Sequence, residues 1–478
     1  MKTLKDNSYL SVMGRKNEIV KKTVGLDYSQ FERQGIVFDY EAMMGHAGYS
    51  LEDVRKIQRE TGVGETPLYE LKNLTSLVRK CSPKGKGGRL FVKDEAANPG
   101  GSFKARRAAV SVYQAAKLGF KGVMAATSGN YGAAVASQAA MRGLESIIVQ
   151  ELFDSKGLGQ PEILEKGRAC EAYGAEVVQL SVGPELFYQF LLLLEETNYF
   201  NASLYSPFGI AGVETLGYEV AEQVRVLTGR EPDVVVITHA GGGNVTGTAR
   251  GLKKAGCEKT RIVGASVDLH GLHMASDKDF NRKSFTTGHT GFGVPFAIGP
   301  DRVDVPRNAA RPLRYLDRYV TVTQGEVFYL TELLAKLEGL ERGPAGNTSL
   351  AAAFSIAREL EQDQILVVQE TEYTGAGKHP FSQLEFARNM GITVRKGNPK
   401  ENIPGKQIVI PESPEQIEVN DLDLNKLRQS YLKKALDKVN LKELSKLELI
   451  FLAEEINSRV DFVKNFIEAT YKIKVDEE

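Results

Sequence analysis

Between about residues 88 and 400, short apolar runs alternate with longer, alanine-rich segments whose apolar residues recur every three or four positions. The runs at 89–93 (RLFVK), 122–126 (GVMAA), 146–150 (SIIVQ), 175–180 (AEVVQL), 234–238 (VVVIT), 262–267 (IVGASV) and 365–369 (ILVVQ) predict strands buried on both faces. The segments 105–118, 131–142, 161–173, 184–197, 211–228, 244–255, 325–338 and 347–361 have the spacing of amphipathic helices. Strand followed by helix, repeated, predicts α/β layers around mainly parallel sheets. The units fall into two groups, about 103–212 and 213–400, with SPFGIAG (206–212) read as the stretch between them. The first 60 residues are charged with a helical pattern and form an N-terminal extension. From Asp421 onward glycine disappears, and lysine, glutamate and leucine alternate at helical spacing, predicting a two- or three-helix appendage that packs on the body or on a partner.

Composition narrows the class. With 478 residues, 42% hydrophobic and 26% charged, the chain is long enough for more than one globular domain. Lysine plus arginine equal aspartate plus glutamate at 61 each, which argues against a nucleic-acid partner. The longest apolar run, LFYQFLLLLEE (186–196), is too short to span a membrane, and the N-terminal stretch lacks the apolar core of a signal peptide. Three scattered cysteines, Cys81, Cys170 and Cys257, form neither a disulfide framework nor a zinc pattern. The expectation is a cytoplasmic protein with no nucleic-acid or membrane partner.

Four stretches carry candidate chemistry. In NPGGSFKARRAAV (98–110), Lys104 follows a glycine turn and opens a helix. A cation there opposes the helix dipole, so a solvated surface charge explains it poorly beside a phosphate ligand or a nucleophilic amine. Arg106 and Arg107 read as surface charges of that helix by default, with one of them reaching an anionic ligand as the alternative. TSGNYGAAVA (127–136) presents hydroxyls, an amide and backbone N–H groups at a helix N-terminus, a place that binds anions, although Thr127 or Ser128 as a plain N-cap explains it equally. THAGGGNVTGTARG (238–251) has the form of a phosphate cradle without the lysine of a Walker loop. Asp268 after the next strand keeps a dinucleotide-binding dehydrogenase open. VVQETEYTGAGKH (367–379) places Glu372 and Thr374 at a strand's carboxyl end, where ligands bind in open α/β sheets, or where either is a turn residue. His270, His273 and His289 lie in a glycine-rich segment with no fourth ligand at metal spacing, which reads as a substrate or lid loop and no metal. A turn lysine, an anion pocket, a phosphate loop and a strand-end hydroxyl together suit pyridoxal 5′-phosphate.

The order and wording of these stretches, with GETPLYEL (64–71) before them, resemble the fold-type II pyridoxal phosphate enzymes, the tryptophan synthase β-subunit and threonine synthase superfamily. The resemblance implies a two-domain architecture. A large phosphate-binding domain would span 61–102 and 213–420, and a small domain with the substrate loop 103–212. Helical extensions would cover 1–60 and 421–478. It implies that Lys104 carries the cofactor, that Asn130 bonds the cofactor's 3′-oxygen, and that Thr127, Ser128, Gly129 and Tyr131 hold the substrate carboxylate. Gly241, Gly242, Gly243, Asn244, Thr246 and Gly247 would hold the phosphate. Thr374 would face the pyridine nitrogen, with Glu372, two residues away on the same face, left open for that place.

VKDEAANPGGSFKARRAA, HAGGGNVTGTARGL, FTTGHTGFGVPFA and QETEYTGAGKH are similar, more narrowly, to the 2-amino-4-oxopentanoate thiolase β-subunits over nearly the whole chain. That resemblance implies a small α subunit as partner, a homodimeric core within a hetero-oligomer, and a place in ornithine degradation. The reaction implied is cleavage of 2-amino-4-oxopentanoate with coenzyme A to acetyl-CoA and D-alanine. Coenzyme A brings its own thiol, so the cysteines read as small apolar residues; no loop is assigned to coenzyme A. The alternative is β-elimination or replacement, as in threonine synthase or diaminopropionate ammonia-lyase.

Overall fold

The apolar runs become the strands of two parallel sheets. The computed structural model describes residues 5–127, 129–270, 280–286, 293–373, 380–437, 439–441 and 444–473. Among them the strands are β1 (Leu68–Glu70), β2 (Arg89–Asp94), β3 (Gly122–Thr127), β4 (Glu145–Phe153), β5 (Glu176–Ser181), β6 (Phe200–Asn201) and β7 (Val234–Thr238). They continue as β8 (Arg261–Val267), β9 (Arg318–Val322), β10 (Ile365–Glu370), β11 (Thr393–Gly397), β12 (Gln407–Pro411) and β13 (Asn420–Asp421). The larger sheet has the order β1-β2-β10-β7-β8-β9-β13. Its five inner strands run parallel, and the short β1 and β13 close its edges antiparallel. The smaller sheet, β5-β4-β3-β6, is parallel throughout. The mixed α/β architecture with mainly parallel sheets is the one the periodicity predicts.

All seven predicted strands form, but β5, at the edge of the smaller sheet, has no buried residue and so is not the strand buried on both faces that its run predicts. Missing from the reading are β1, β6, β9, β11, β12 and β13, which are short, at sheet edges, or partly polar like Arg318–Val322 (RYVTV). SPFGIAG is not a connector and has to be corrected. Ser206 caps a helix that runs Pro207–Thr228, its hydroxyl accepting from the Gly209 N–H at 3.2 Å, with Pro207 in the first turn. The glycines that suggested a break are contact points: a Cβ on Gly212 would overlap the backbone of Arg106. The helix therefore packs directly on Lys104–Lys117.

Both extensions pack on the body. Val12, Val20, Met43 and Val54 from the N-terminal helices share a core with Val123, Ile148 and Phe190. The C-terminal helices Leu424–Leu436, Lys446–Glu455 and Val460–Tyr471 bury Leu432, Leu452 and Ile467 in the same cluster as Val235 and Ile237 of the larger sheet. Among the described residues no helix is long and apolar enough to cross a membrane.

The parallel order positions the site. β2, β10 and β7 are neighbours, so their carboxyl ends lie side by side. The lysine turn follows β2, Glu372 follows β10, and the glycine loop follows β7.

Candidate active site

The lysine turn is built by backbone geometry. Gly100 and Gly101 have φ of 72° and 70°, the left-handed region that favours glycine. The turn is pinned on the chain leaving β10: the Phe103 N–H donates to the Thr371 carbonyl at 3.1 Å, and the Tyr373 N–H to the Gly101 carbonyl at 2.8 Å. Asn98 ties it to the GETPLYEL stretch by accepting from the Gly64 N–H at 2.9 Å. Lys104 emerges at the start of the helix Lys104–Lys117, with Nζ 3.8 Å from the buried Glu372 carboxylate and 4.9 Å from the Phe103 ring centre.

The glycine loop leads into the helix Gly243–Lys254. Gly242 has φ of 88° and presses on Pro312, and a Cβ on Gly241 would overlap the Tyr205 hydroxyl. Asn244 is buried and its Nδ2 has no partner among the described residues. The helix Asn130–Met141 follows β3. Thr127 Oγ1 accepts from the Gly129 N–H at 3.0 Å and so ties the turn before the helix Asn130–Met141. The Tyr131 hydroxyl donates to the Ala202 carbonyl at 2.6 Å.

These stretches surround one cavity of about 250 Å³. Its lining includes Lys104, Thr127, Gly129, Asn130, Tyr131, Gly241, Gly242, Gly243, Asn244 and Glu372. Thr246 and Gly247 are not in the lining. The Thr246 hydroxyl donates to the Gly242 carbonyl and accepts from the Arg311 N–H, both at 2.9 Å, and Gly247 packs on Val213. Ser128, Thr374, His273 and His289 lie outside the described residues, and His270 is exposed. Among the described residues no group of histidine, cysteine and carboxylate side chains is arranged to hold a metal. Cys170 and Cys257 are buried, and burial with the nearby Glu415 pushes the Cys81 thiol up to about 11.

Two arginines depart from the expectation of surface charges. Arg106 is fully buried and donates to Glu95 and Glu219, with Lys93 also on Glu219 at 2.8 Å. This balanced set of two cations and two carboxylates clamps the base of the lysine helix. Despite its burial, Glu219 is held well below the usual carboxylate range by Arg106 and Lys93. Arg107 is also buried, and its guanidinium lines the cavity.

Sequence reasoning also missed the far wall. Glu151 lies there with its pKa raised to about 7 by burial, opposed by the Gly183 N–H and Arg302. Lys166 and Glu162 form a buried pair at 2.6 Å. Arg302 bonds Asp304 at 3.0 Å and lies 5.1 Å from the Tyr205 ring centre. Only Glu162 and Lys166, four residues apart on one helix, had a readable spacing; the rest converge from separate elements.

Chemically, the cavity offers an amine beside a carboxylate, a glycine loop at a helix N-terminus, and buried donors awaiting an acceptor. A profile of the pyridoxal-phosphate dependent enzymes matches residues 59–370. A 2-amino-4-ketopentanoate thiolase beta subunit from an unspecified prokaryote is 66% identical over 463 residues, covering 97% of this chain and 98% of that protein. A second of the same name, from Acetoanaerobium sticklandii, is 66% identical over 460 residues, covering 96% and 98%. The structure of maize serine racemase superimposes with a TM-score of 0.51 at 22% identity, covering 70% of this chain and 98% of that one, a likeness of fold alone. The family match sets aside the dinucleotide reading of the glycine loop; Asp268 instead accepts from the His270 N–H at 2.8 Å. Pyridoxal phosphate fits the residues present, since the partnerless Asn244 Nδ2 and the glycine loop suit its phosphate and Lys104 suits its aldehyde. The chain belongs to the pyridoxal-phosphate-dependent enzymes and, among them, to the 2-amino-4-ketopentanoate thiolase beta subunits.

Proposed function

We propose that the chain is the catalytic, cofactor-binding subunit of a thiolase, an acyltransferase of ornithine degradation. It cleaves 2-amino-4-oxopentanoate (the ketopentanoate of the relatives' name) with coenzyme A to acetyl-CoA and D-alanine. The observation that carries this reading is the cavity shared by Lys104, Glu372 and the glycine loop, in a chain 66% identical over 97% of its length to proteins of that name. We further assign it to the cytoplasm, as a homodimeric core joined by a small α subunit.

When bound, pyridoxal phosphate would supply an electron sink conjugated through the substrate's amine nitrogen with C2 and, through C2, with C3. Lys104 would hold the cofactor through Nζ, and its amine, when free, would carry protons to and from the substrate carbons. Glu372 holds its carboxylate 3.8 Å from Nζ. Gly241, Gly242, Gly243 and Asn244 hold the phosphate, supported from the first helical turn by Thr246 and Gly247. Asn130 bonds the ring oxygen, Thr127, Ser128, Gly129 and Tyr131 hold the substrate carboxylate, and Thr374 or Glu372 faces the pyridine nitrogen. In the net reaction the C3–C4 bond of the substrate breaks, the thiol sulfur bonds to C4, and the thiol proton ends on C3. No oxidant or reductant enters.

Borohydride reduction of the purified chain, followed by peptide mapping, tests the assignment. The expected result is a visible absorption band lost on reduction, with the label on Lys104 alone. With the second subunit and coenzyme A, the products are alanine and acetyl-CoA. Label on another lysine, or ammonia and a keto acid in place of alanine, overturns the reading.

A further inference from the structure

Arg107 lies one turn beyond Lys104 and is 3% exposed. Its neighbour Arg106 has two carboxylates, but Arg107 forms no ion pair among the described residues, and its Nε is buried with no hydrogen-bond partner. Its guanidinium sits 4.9 Å from the Phe103 ring centre and 5.7 Å from that of Tyr205. Arginine does not shed its proton at such a site, so the charge persists. Two aromatic faces and the neutral Tyr205 hydroxyl compensate a buried cation only in part. An anion belongs beside it.

The surroundings identify the anion's class. A Cβ built on Gly243 would lie 2.9 Å from the terminal nitrogen of Arg107. Gly243 is the first residue of a 12-residue helix, whose leading N–H groups have no partner within the helix. The partnerless Nδ2 of Asn244 is the next donor along. A guanidinium, helix-end amides and a carboxamide thus meet at the glycine loop, a donor set suited to a multiply charged, tetrahedral oxyanion.

We propose that Arg107 is the cationic ligand of a phosphate monoester seated on the glycine loop, so that the phosphate is held by a charged side chain from the lysine helix as well as by backbone amides. The inference rests on the proposed function for the source of that phosphate, the cofactor itself; the phosphates of coenzyme A share the chemistry. The same helix would then fix both ends of the cofactor, its aldehyde carbon through Lys104 and its phosphate through Arg107.

The test titrates the full chain, stripped of cofactor, with pyridoxal phosphate and with pyridoxal, which has the aldehyde and no phosphate, following visible absorbance. Arg107→Met is expected to weaken pyridoxal phosphate roughly 10- to 100-fold while leaving pyridoxal within about two-fold, with partial recovery in Arg107→Lys. Equal affinity for pyridoxal phosphate in wild type and Arg107→Met overturns the proposal. So does an equal loss of both aldehydes in Arg107→Met and Arg107→Lys, which would make Arg107 a packing residue. Loss of coenzyme A binding with pyridoxal phosphate intact also overturns it. If the wild-type chain takes up neither aldehyde, the cofactor reading has failed on its own. Inorganic phosphate titrated calorimetrically into the stripped chain then still decides the arginine: binding in wild type that vanishes in Arg107→Met supports it, and equal binding or none in wild type refutes it.

Discussion

Glu370, the last residue of β10, is buried, and no side-chain donor bonds its carboxyl oxygens among the described residues. Burial first, then the nearby Asp94 and Glu372, raise its pKa well above the usual carboxylate value. The folded chain therefore holds a proton that the unfolded chain releases above about pH 4.5, so this residue costs stability increasingly as pH rises from there towards its folded pKa. Glu370→Gln keeps the shape and removes that cost. The variant is expected to melt about 2–4 °C above wild type near pH 8, with the gap closing towards about pH 4. Thermal unfolding across that range checks it, and a pH-independent difference would sink the argument. Adjacent residues also show where sequence reading stops. Arg106 and Arg107 are indistinguishable along the chain, yet one meets two carboxylates and the other faces the cavity. Helix pitch separates their directions, but what each meets is decided by β2, by Pro207–Thr228 and by the loop after β7.

At the scale of elements, the C-terminal helices reach the glycine loop through one buried carboxylate. Glu455 accepts from Arg311 and from Arg314, the latter at 2.6 Å, and from the Tyr431 hydroxyl. The Arg311 N–H donates to Thr246 Oγ1, which in turn bonds the Gly242 carbonyl. Burial works against the charge of Glu455, but Arg311 and Arg314 prevail and hold its pKa at about 2. Its contribution to stability is therefore complete above about pH 4.5 and is lost as pH falls from there towards about 2. Glu455→Gln removes the buried carboxylate that two guanidinium groups share, leaving Arg311 with Asp301 at 3.0 Å and Arg314 with Glu454 at 3.9 Å, which is expected to cost up to about 3–5 kcal/mol near neutral pH. Chemical denaturation measures that loss, and limited proteolysis should show the segment after residue 421 cut first. The difference from wild type should shrink below about pH 4. Unchanged stability would mean that apolar packing alone docks these helices. The lysine, glutamate and leucine pattern made them legible as helices; it did not say that they face their own chain.

At the scale of the whole molecule, the chain carries a cavity whose lining suits the cofactor, while none of its motifs accounts for coenzyme A. Its charge is balanced at 61 against 61, with no basic excess for a polyphosphate nucleotide. We therefore expect the chain alone to bind pyridoxal phosphate and to change its visible spectrum on addition of 2-amino-4-oxopentanoate. Acetyl-CoA should form efficiently only with the α subunit present, at a rate at least about ten-fold above that of the lone chain. Single-turnover assays with and without the second subunit measure this, and equal rates would refute the need for a partner.

The periodicity of the chain determined the α/β class and all seven strands that its apolar runs predicted, because a strand buried on both faces must be apolar at successive positions. The motifs determined the cofactor class, because a glycine turn with a lysine and a glycine-rich helix start are local arrangements whose backbone demands appear in consecutive residues. Tertiary structure alone decided the rest. SPFGIAG is helical from Pro207, and where that helix lies is set by Gly212, whose missing Cβ lets it reach the backbone of Arg106, a contact 106 residues distant in the chain. The far wall of the cavity, with Glu151, Lys166 and Arg302, is assembled from elements with no shared local pattern. Arg107 becomes a candidate anion ligand only because folding brings Gly243 against it and leaves it no carboxylate among the described residues. Burial, and the choice of partner for a buried charge, are properties of surfaces that meet in space.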